Sequence, residues 1–315
     1  MQDPRAPQPA TRRWRPGWPI DLVATMAALA RGRSDPTIRL GPDGVWWATR
    51  SPGGPVTVHL VRAGGEVRID AWGPGAAAAL DDLPDLLGAG DDPAGFRADA
   101  HPVMAAAHAR FDAGLRTLRT RRVLDSLVPA ILEQRVTGLE SRRAWLALVR
   151  GFGEPAPGAG RVPGCPADLM VPPDAGAWRG VPSWAWHRAG VDPGRAGTVL
   201  RVAQREVAVE RLSERSAEQA RTALTSVPGV GTWTAAEVAV RAWGDRDAVS
   251  FGDYHLAGTV VHALTGRRDG TDEQMAELLA PWAGQRARAV RLLVAHCGHP
   301  PRRGPRAAIT DHRSR

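Results

Sequence analysis

The sequence predicts an α+β protein, with a small N-terminal antiparallel sheet domain carrying helices and a mostly α-helical domain after it. Three observations carry this expectation. Strand-like segments bounded by Gly-Pro and Gly-Gly turns all lie before residue 90. From residue 103 onward the apolar residues recur at helical spacing instead. Between the two regimes, "GAGDDPAGFRADAHP" (88–102) changes composition and reads as a linker.

Taken in order, residues 1–17 are rich in Pro and Arg and are expected to be a loose basic N-terminus. The N-terminal α/β domain spans 18–102. In it "DLVATMAALARG" is a short helix, and "TIRL", "GVWWATR", "PVTVHLVRA" and "EVRIDAWG" are strands. "AAAALDDLPDLLG" then reads as a helix covering the sheet. In the helical domain, 103–300, the segments 103–136, 139–153, 195–212 and 216–227 show helical spacing. Residues 152–182, rich in Pro and Gly, form a long irregular connection. A basic tail, 301–315, has no periodicity and is expected to be disordered.

Composition narrows the function. With 315 residues, 43% of them apolar, the chain can bury one large core or several modest ones. No stretch of about 18 uninterrupted apolar residues suggests a membrane span, and the N-terminal basic residues lack the apolar region of a secretory signal. Two cysteines, Cys165 and Cys297, exclude a disulfide framework and a four-thiolate iron–sulfur cluster. A cytoplasmic protein, associated with the nucleoid, is expected. The net charge of +8 and a pI near 11.0 favour a polyanion as partner. All 41 basic residues are arginine, so no side-chain amine exists in the chain.

The densest chemical signal is "SVPGVGTWTAAEVAVRAWGDRDAVSFGDYHL" (226–256). Ser216 and Gln219 make a capping-box start for a helix running to about Val227. Pro228 stops it, Gly229 and Gly231 allow a tight hairpin, and Thr232 is placed to cap a second helix from Trp233 to Trp243. A helix start exposed behind glycines can hold a phosphate of a sugar-phosphate backbone. Asp253, isolated between Gly252 and Tyr254, is either a catalytic carboxylate or the cap of the helix that begins at Tyr254. "RTLRTRRVLD", with Arg116, Arg119, Arg121 and Arg122, is either a phosphate-facing stripe or a solvated face. "HCGH", His296 to His299, lacks the partners that a metal site needs.

These residues resemble the helix-hairpin-helix (HhH-GPD) base-excision DNA glycosylase superfamily. The Trp233-Thr234-Ala235 run and an acid directly before Tyr254 are closest to its alkylpurine branch, the 3-methyladenine DNA glycosylase II type. "LVPAILEQRVTGLESRRAWLALVRGFGEP" resembles that branch's "AIL-x-Q-x-V" helix and loop, and a small N-terminal α/β domain belongs to the same branch. The likeness spans roughly residues 40–298.

The resemblance implies an enzyme that removes damaged, alkylated purines from duplex DNA in base-excision repair. It implies Asp253 as the carboxylate that stabilises positive charge at the sugar C1′ and orients water. Trp233, Tyr254 and Glu237 would line the base pocket. Gln134, Arg135, Pro228, Gly229, Val230, Gly231, Thr232 and Thr234 would contact DNA, with Arg135 at the wedge position. Backbone carbonyls of Thr225, Val227 and Val230 would hold a monovalent cation; no other cofactor is expected, and the protein would act as a monomer. Where bifunctional relatives carry a Schiff-base lysine, this chain reads Thr232-Trp233-Thr234. A monofunctional enzyme that leaves the abasic site uncut is therefore expected. The chain departs from the branch at three places: Arg135 replaces an apolar wedge, Glu237 stands where an aromatic is frequent, and an aliphatic residue near Val294 replaces a stacking tryptophan. Deaminated or oxidised bases, and a non-enzymatic DNA-binding role, stay open as alternatives.

Overall fold

A computed structural model of the chain describes residues 7–111 and 114–298. Residues 1–6, His299 and the expected tail at 301–315 lie outside them.

Five antiparallel strands, β1 (Ala10–Trp14), β2 (Ile38–Gly41), β3 (Gly44–Ser51), β4 (Gly54–Ala63) and β5 (Glu66–Trp72), are arranged in the order β1-β5-β4-β3-β2. The last four are the strands expected from sequence. The first corrects the expectation of a loose N-terminus. "ATRRW" pairs with β5, Arg12 opposite Ile69, and Thr11 Oγ1 donates to Asp70 at 2.8 Å. Its residues are largely exposed along a sheet edge, so it has no apolar alternation, and charged side chains are what an edge strand tolerates.

On one face of the sheet, α1 (Leu22–Met26), α2 (Ala76–Asp81) and α3 (Leu83–Leu86) enclose Met26, Leu60, Ile69 and Leu83. The single covering helix expected at 76–88 is thus two, and Pro84 stands in the first turn of the second. The other face is covered by the 152–182 connection. Its two-residue strands β6 (Glu154–Pro155) and β7 (Met170–Val171) pair. Ala156, Val162, Cys165 and Leu169 then pack on Trp46 and Trp72.

The 88–102 segment is strapped down rather than free. Asp91 is buried in an ion pair with Arg288, the Trp282 indole donates to the Arg97 carbonyl at 2.7 Å, and Gln285 donates to Ala94 at 2.9 Å.

The remainder is helical: α4 (Pro102–Phe111), α5 (Val123–Leu132), α6 (Gly138–Phe152), α7 (Ala175–Gly180), α8 (Ser183–Arg188), α9 (Pro193–Gln204), α10 (Glu206–Glu210), α11 (Ala217–Thr225), α12 (Thr232–Ala242), α13 (Leu256–Thr265), α14 (Asp272–Leu279) and α15 (Arg286–Cys297). Apart from Asp125, every residue of α5 is buried. A helix apolar all round belongs at a centre, and α5 packs there against α6, α9, α10 and α12. No side chain of its own caps it. Both oxygens of Glu210 do so, accepting from the Val123 and Leu124 N–H groups at 3.1 and 2.7 Å. Burial, with Asp125 nearby, pushes the Glu210 carboxyl up to about 7.

Residues 115–122, expected within one long helix, are not helical. The arginine stripe is no single face, and Arg121 within it is exposed. Arg122 is buried against the Arg50 carbonyl and Thr120. Arg119 and Arg121 pair with Asp85, and Arg116 lies 4.8 Å over the Trp18 ring. Among the described residues no helix is long and apolar enough to cross a membrane.

Candidate active site

α11 starts with the expected capping box between Ser216 and Gln219. The chain reverses through Gly229, whose φ of +92° needs glycine and whose Cβ would meet Thr198 Oγ1 at 2.2 Å. The start of α12 differs from expectation. Gly231, not Thr232, is its capping position, and no side chain bonds to the first turn. Gly231 and Thr232 are exposed there, so the α12 start presents donors to the outside. Val230 is 4% exposed and its N–H is spent on the Val227 carbonyl at 2.9 Å. Its place in the hairpin is packing.

Gln134, at the end of α5, reaches this hairpin. Its amide donates to the Gly229 carbonyl at 3.0 Å and to Thr234 Oγ1 at 2.7 Å. Thr234 is only 2% exposed, so it anchors Gln134 instead of facing a ligand. Pro228 accepts from Arg201 at 2.6 Å. Arg135 is exposed and has φ +54°, one of two left-handed residues other than glycine among those described. Such a conformation costs about 1–3 kcal/mol and persists where neighbours over-determine it. Here Glu133 is paired to Arg31 at 3.0 Å, Gln134 is tied to the hairpin, and Thr137 forms a capping box with Glu140.

Asp253 is half-buried and its two oxygens have different partners. Oδ1 accepts the His255 and Leu256 N–H groups at 2.8 and 2.9 Å, so from two residues before the capping position, His255, it satisfies the first N–H of α13, which starts at Leu256 and not at Tyr254. Oδ2 accepts the Trp233 indole N–H at 3.2 Å. The helix that follows the hairpin therefore holds the isolated acid directly, through its second residue.

Two expected pocket residues stand elsewhere. Tyr254 is 93% exposed, its ring edge-on to His255, and forms no pocket wall. Glu237 turns inward, pairing with Arg241 at 2.7 Å and accepting the Ser250 hydroxyl. Burial opposes its charge, but Arg241, Ser250 and Arg31 outweigh that and hold its carboxyl below the usual range. It is a compensated buried carboxylate, not a bare negative charge in a pocket. The i, i+4 pairing of Glu237 with Arg241 was available from spacing alone. Arg31, Glu133 and Ser250, brought in from remote segments, had no such signal.

The carbonyls of Thr225, Val227 and Val230 fall at the α11 end and the hairpin; that of Val227 already accepts the Val230 N–H, leaving one lone pair for a cation. Among the described residues no cluster of three His, Cys, Asp or Glu side chains could hold a metal. Chemically, the site offers a fixed carboxylate at the edge of an indole that belongs to the first turn of the open-started helix.

No family model and no curated protein matches the sequence. Solved structures do share the fold. A 3-methyladenine DNA-glycosylase from Archaeoglobus fulgidus superposes with a TM-score of 0.73 at 18% identity, covering 91% of this chain and 98% of that one. MBOgg1 in complex with a low-affinity DNA ligand gives 0.68 at 18% identity, over 91% and 94% of the two chains. The apo-form of an 8-oxoguanine glycosylase/lyase from Clostridium acetobutylicum gives 0.59 at 12% identity, over 82% and 98%. The α+β fold expected from sequence is the fold of these glycosylases, from the N-terminal sheet through the helical part.

Proposed function

We propose that the protein is a DNA glycosylase that flips a damaged purine out of duplex DNA and hydrolyses its N-glycosidic bond. The observation that carries this is Asp253, fixed through Oδ2 by Trp233 in the first turn of a helix whose start is open to a phosphate. DNA would dock its backbone on the Gly231–Thr232 donors and bring the lesion's sugar to the carboxylate. There Asp253 stabilises the cationic character at C1′ and orients the attacking water. Arg135, exposed and conformationally held, fills the gap left by the flipped base. The Trp233 ring, edge-on to the acid through its N–H, leaves its faces for an alkylated, cationic purine through cation–π attraction. With no lysine in the chain, no side-chain amine attacks C1′, and the abasic strand stays intact. A monovalent cation held by the hairpin carbonyls would stiffen the phosphate-binding turn and takes no part in bond cleavage.

The test uses duplexes carrying one 3-methyladenine, 8-oxoguanine or uracil, each assayed for strand breakage with and without alkali. Alkali-dependent breakage of the alkylated duplex is expected, about 10²–10³-fold slower for Asp253→Asn with DNA binding retained. Equal base release by Asp253→Asn would overturn the mechanism. Breakage by the pure protein without alkali would overturn the monofunctional assignment.

A further inference from the structure

We infer that Glu237 is a positioning residue for the acid loop, acting on Asp253 through Ser250; this rests on the glycosylase reading above. The Glu237 carboxylate accepts the hydroxyl of Ser250, which is 7% exposed. The Ser250 carbonyl in turn accepts the Asp253 N–H at 3.3 Å. A hydrogen-bonded chain therefore runs from α12 to the backbone of the acid.

Trp233 and Glu237 are four residues apart, so both lie on one face of α12. The helix thus grips the loop twice, Trp233 holding the Asp253 side chain and Glu237 holding its backbone through Ser250. The grip has something to restrain, since Gly252 between them is exposed and has φ +84°.

The anchor is rigid in its turn. Arg241 donates to both the carboxylate and the carbonyl of Glu237, at 2.7 and 2.8 Å, and its Nε reaches the Ala28 carbonyl at 3.0 Å. Arg31, adjacent in charge, pairs with Glu133, the residue before the hairpin-bound Gln134. The Glu237–Arg241 and Arg31–Glu133 pairs thus lie within reach of each other's charge, between the acid loop and the α5 end.

The test compares Ser250→Ala, Ser250→Thr and Glu237→Gln with the wild type. Three quantities are read well below the melting temperature: the single-turnover rate of base release at saturating enzyme, the Kd for a duplex with a tetrahydrofuran abasic site, and the ¹⁵N-indole resonance of Trp233 in DNA-free protein, assigned with Trp233→Phe. Ser250→Ala is expected to slow release about tenfold, leave Kd within about twofold, and move the Trp233 resonance. Ser250→Thr restores both rate and resonance. Ser250→Ala in the Glu237→Gln background adds no further slowing.

An unmoved resonance with an unchanged rate overturns the inference. So does additive slowing in the double variant, or a loss that appears only in Kd. If the wild type releases no base from any lesion while Ser250→Ala still moves the resonance, the glycosylase reading fails and the coupling of Glu237 to Asp253 stands.

Discussion

The starts of α5 and α12 carry the same unpaired backbone N–H groups and satisfy them in opposite ways. At α5 the protein supplies its own acceptor, the Glu210 carboxyl, buried and bonded through both oxygens. At α12 it supplies nothing: Gly231 has no side chain, no neighbour caps the turn, and the approach is open. A helix start that is filled from within is architecture. One left empty behind exposed glycine leaves room for the phosphate proposed above. The start of α13 is a third case, since Asp253 caps it with one oxygen and offers the other to Trp233.

The largest expected effect separates the two duties of Asp253. Asparagine caps a helix about as well as aspartate, so Asp253→Asn should keep thermal stability within about 0.5 kcal/mol while base release falls about 10²–10³-fold. Calorimetry alongside the alkali assay checks this, and a variant that lost stability and rate together would show that capping is the residue's main task.

The next effect tests whether Glu210 is a permanently satisfied cap. The folded state keeps its proton up to about pH 7, against an ordinary value of 4.5. Between those values the unfolded chain binds fewer protons, so stability falls as pH rises from about 4.5 to about 7, by roughly 3 kcal/mol at most. Glu210→Gln should flatten that decline in urea titrations run from pH 4.5 to 8. An identical slope in the variant would mean that another group sets the pH dependence.

The smallest effect comes from giving α12 what α5 already has. The backbone at Gly231, φ −93°, suits any residue, and an added Cβ would meet nothing within 4 Å. Gly231→Asp should raise stability by a few tenths of a kcal/mol and weaken DNA binding about tenfold, by placing a negative charge where a phosphate is proposed to dock. Gly231→Ser, a cap without charge, should weaken binding less. DNA binding by Gly231→Asp as tight as the wild type would remove α12 from the interface.

What the sequence made legible follows from distance along the chain. The hairpin glycines, the Ser216 capping box and the isolated Asp253 are local patterns, and the helices around them start and stop within two residues of where spacing put them. The strand β1 escaped because an edge strand of arginines has no apolar alternation to detect. The 115–122 segment read as helix because its leucines happen to recur at helical intervals, yet Arg122 is needed in an extended stretch to reach the Arg50 carbonyl. Glu237 was legible as a departure but not as a device, because its partners Arg31 and Ser250 meet it only in the folded chain. Tyr254 was misplaced for a related reason: sequence adjacency to Asp253 says nothing about which way a ring turns when the acid caps the following helix.

The covering of Trp46 and Trp72 by residues 156–171 bears on how the chain matures. One face of the N-terminal sheet receives its lid from a segment that follows α6, so as the chain emerges during synthesis those two indoles stay bare until half of it has been made. Covering that face is a non-local step, of the kind that slows folding and exposes sticky surface meanwhile. A fragment ending near residue 102 would carry that apolar face uncovered.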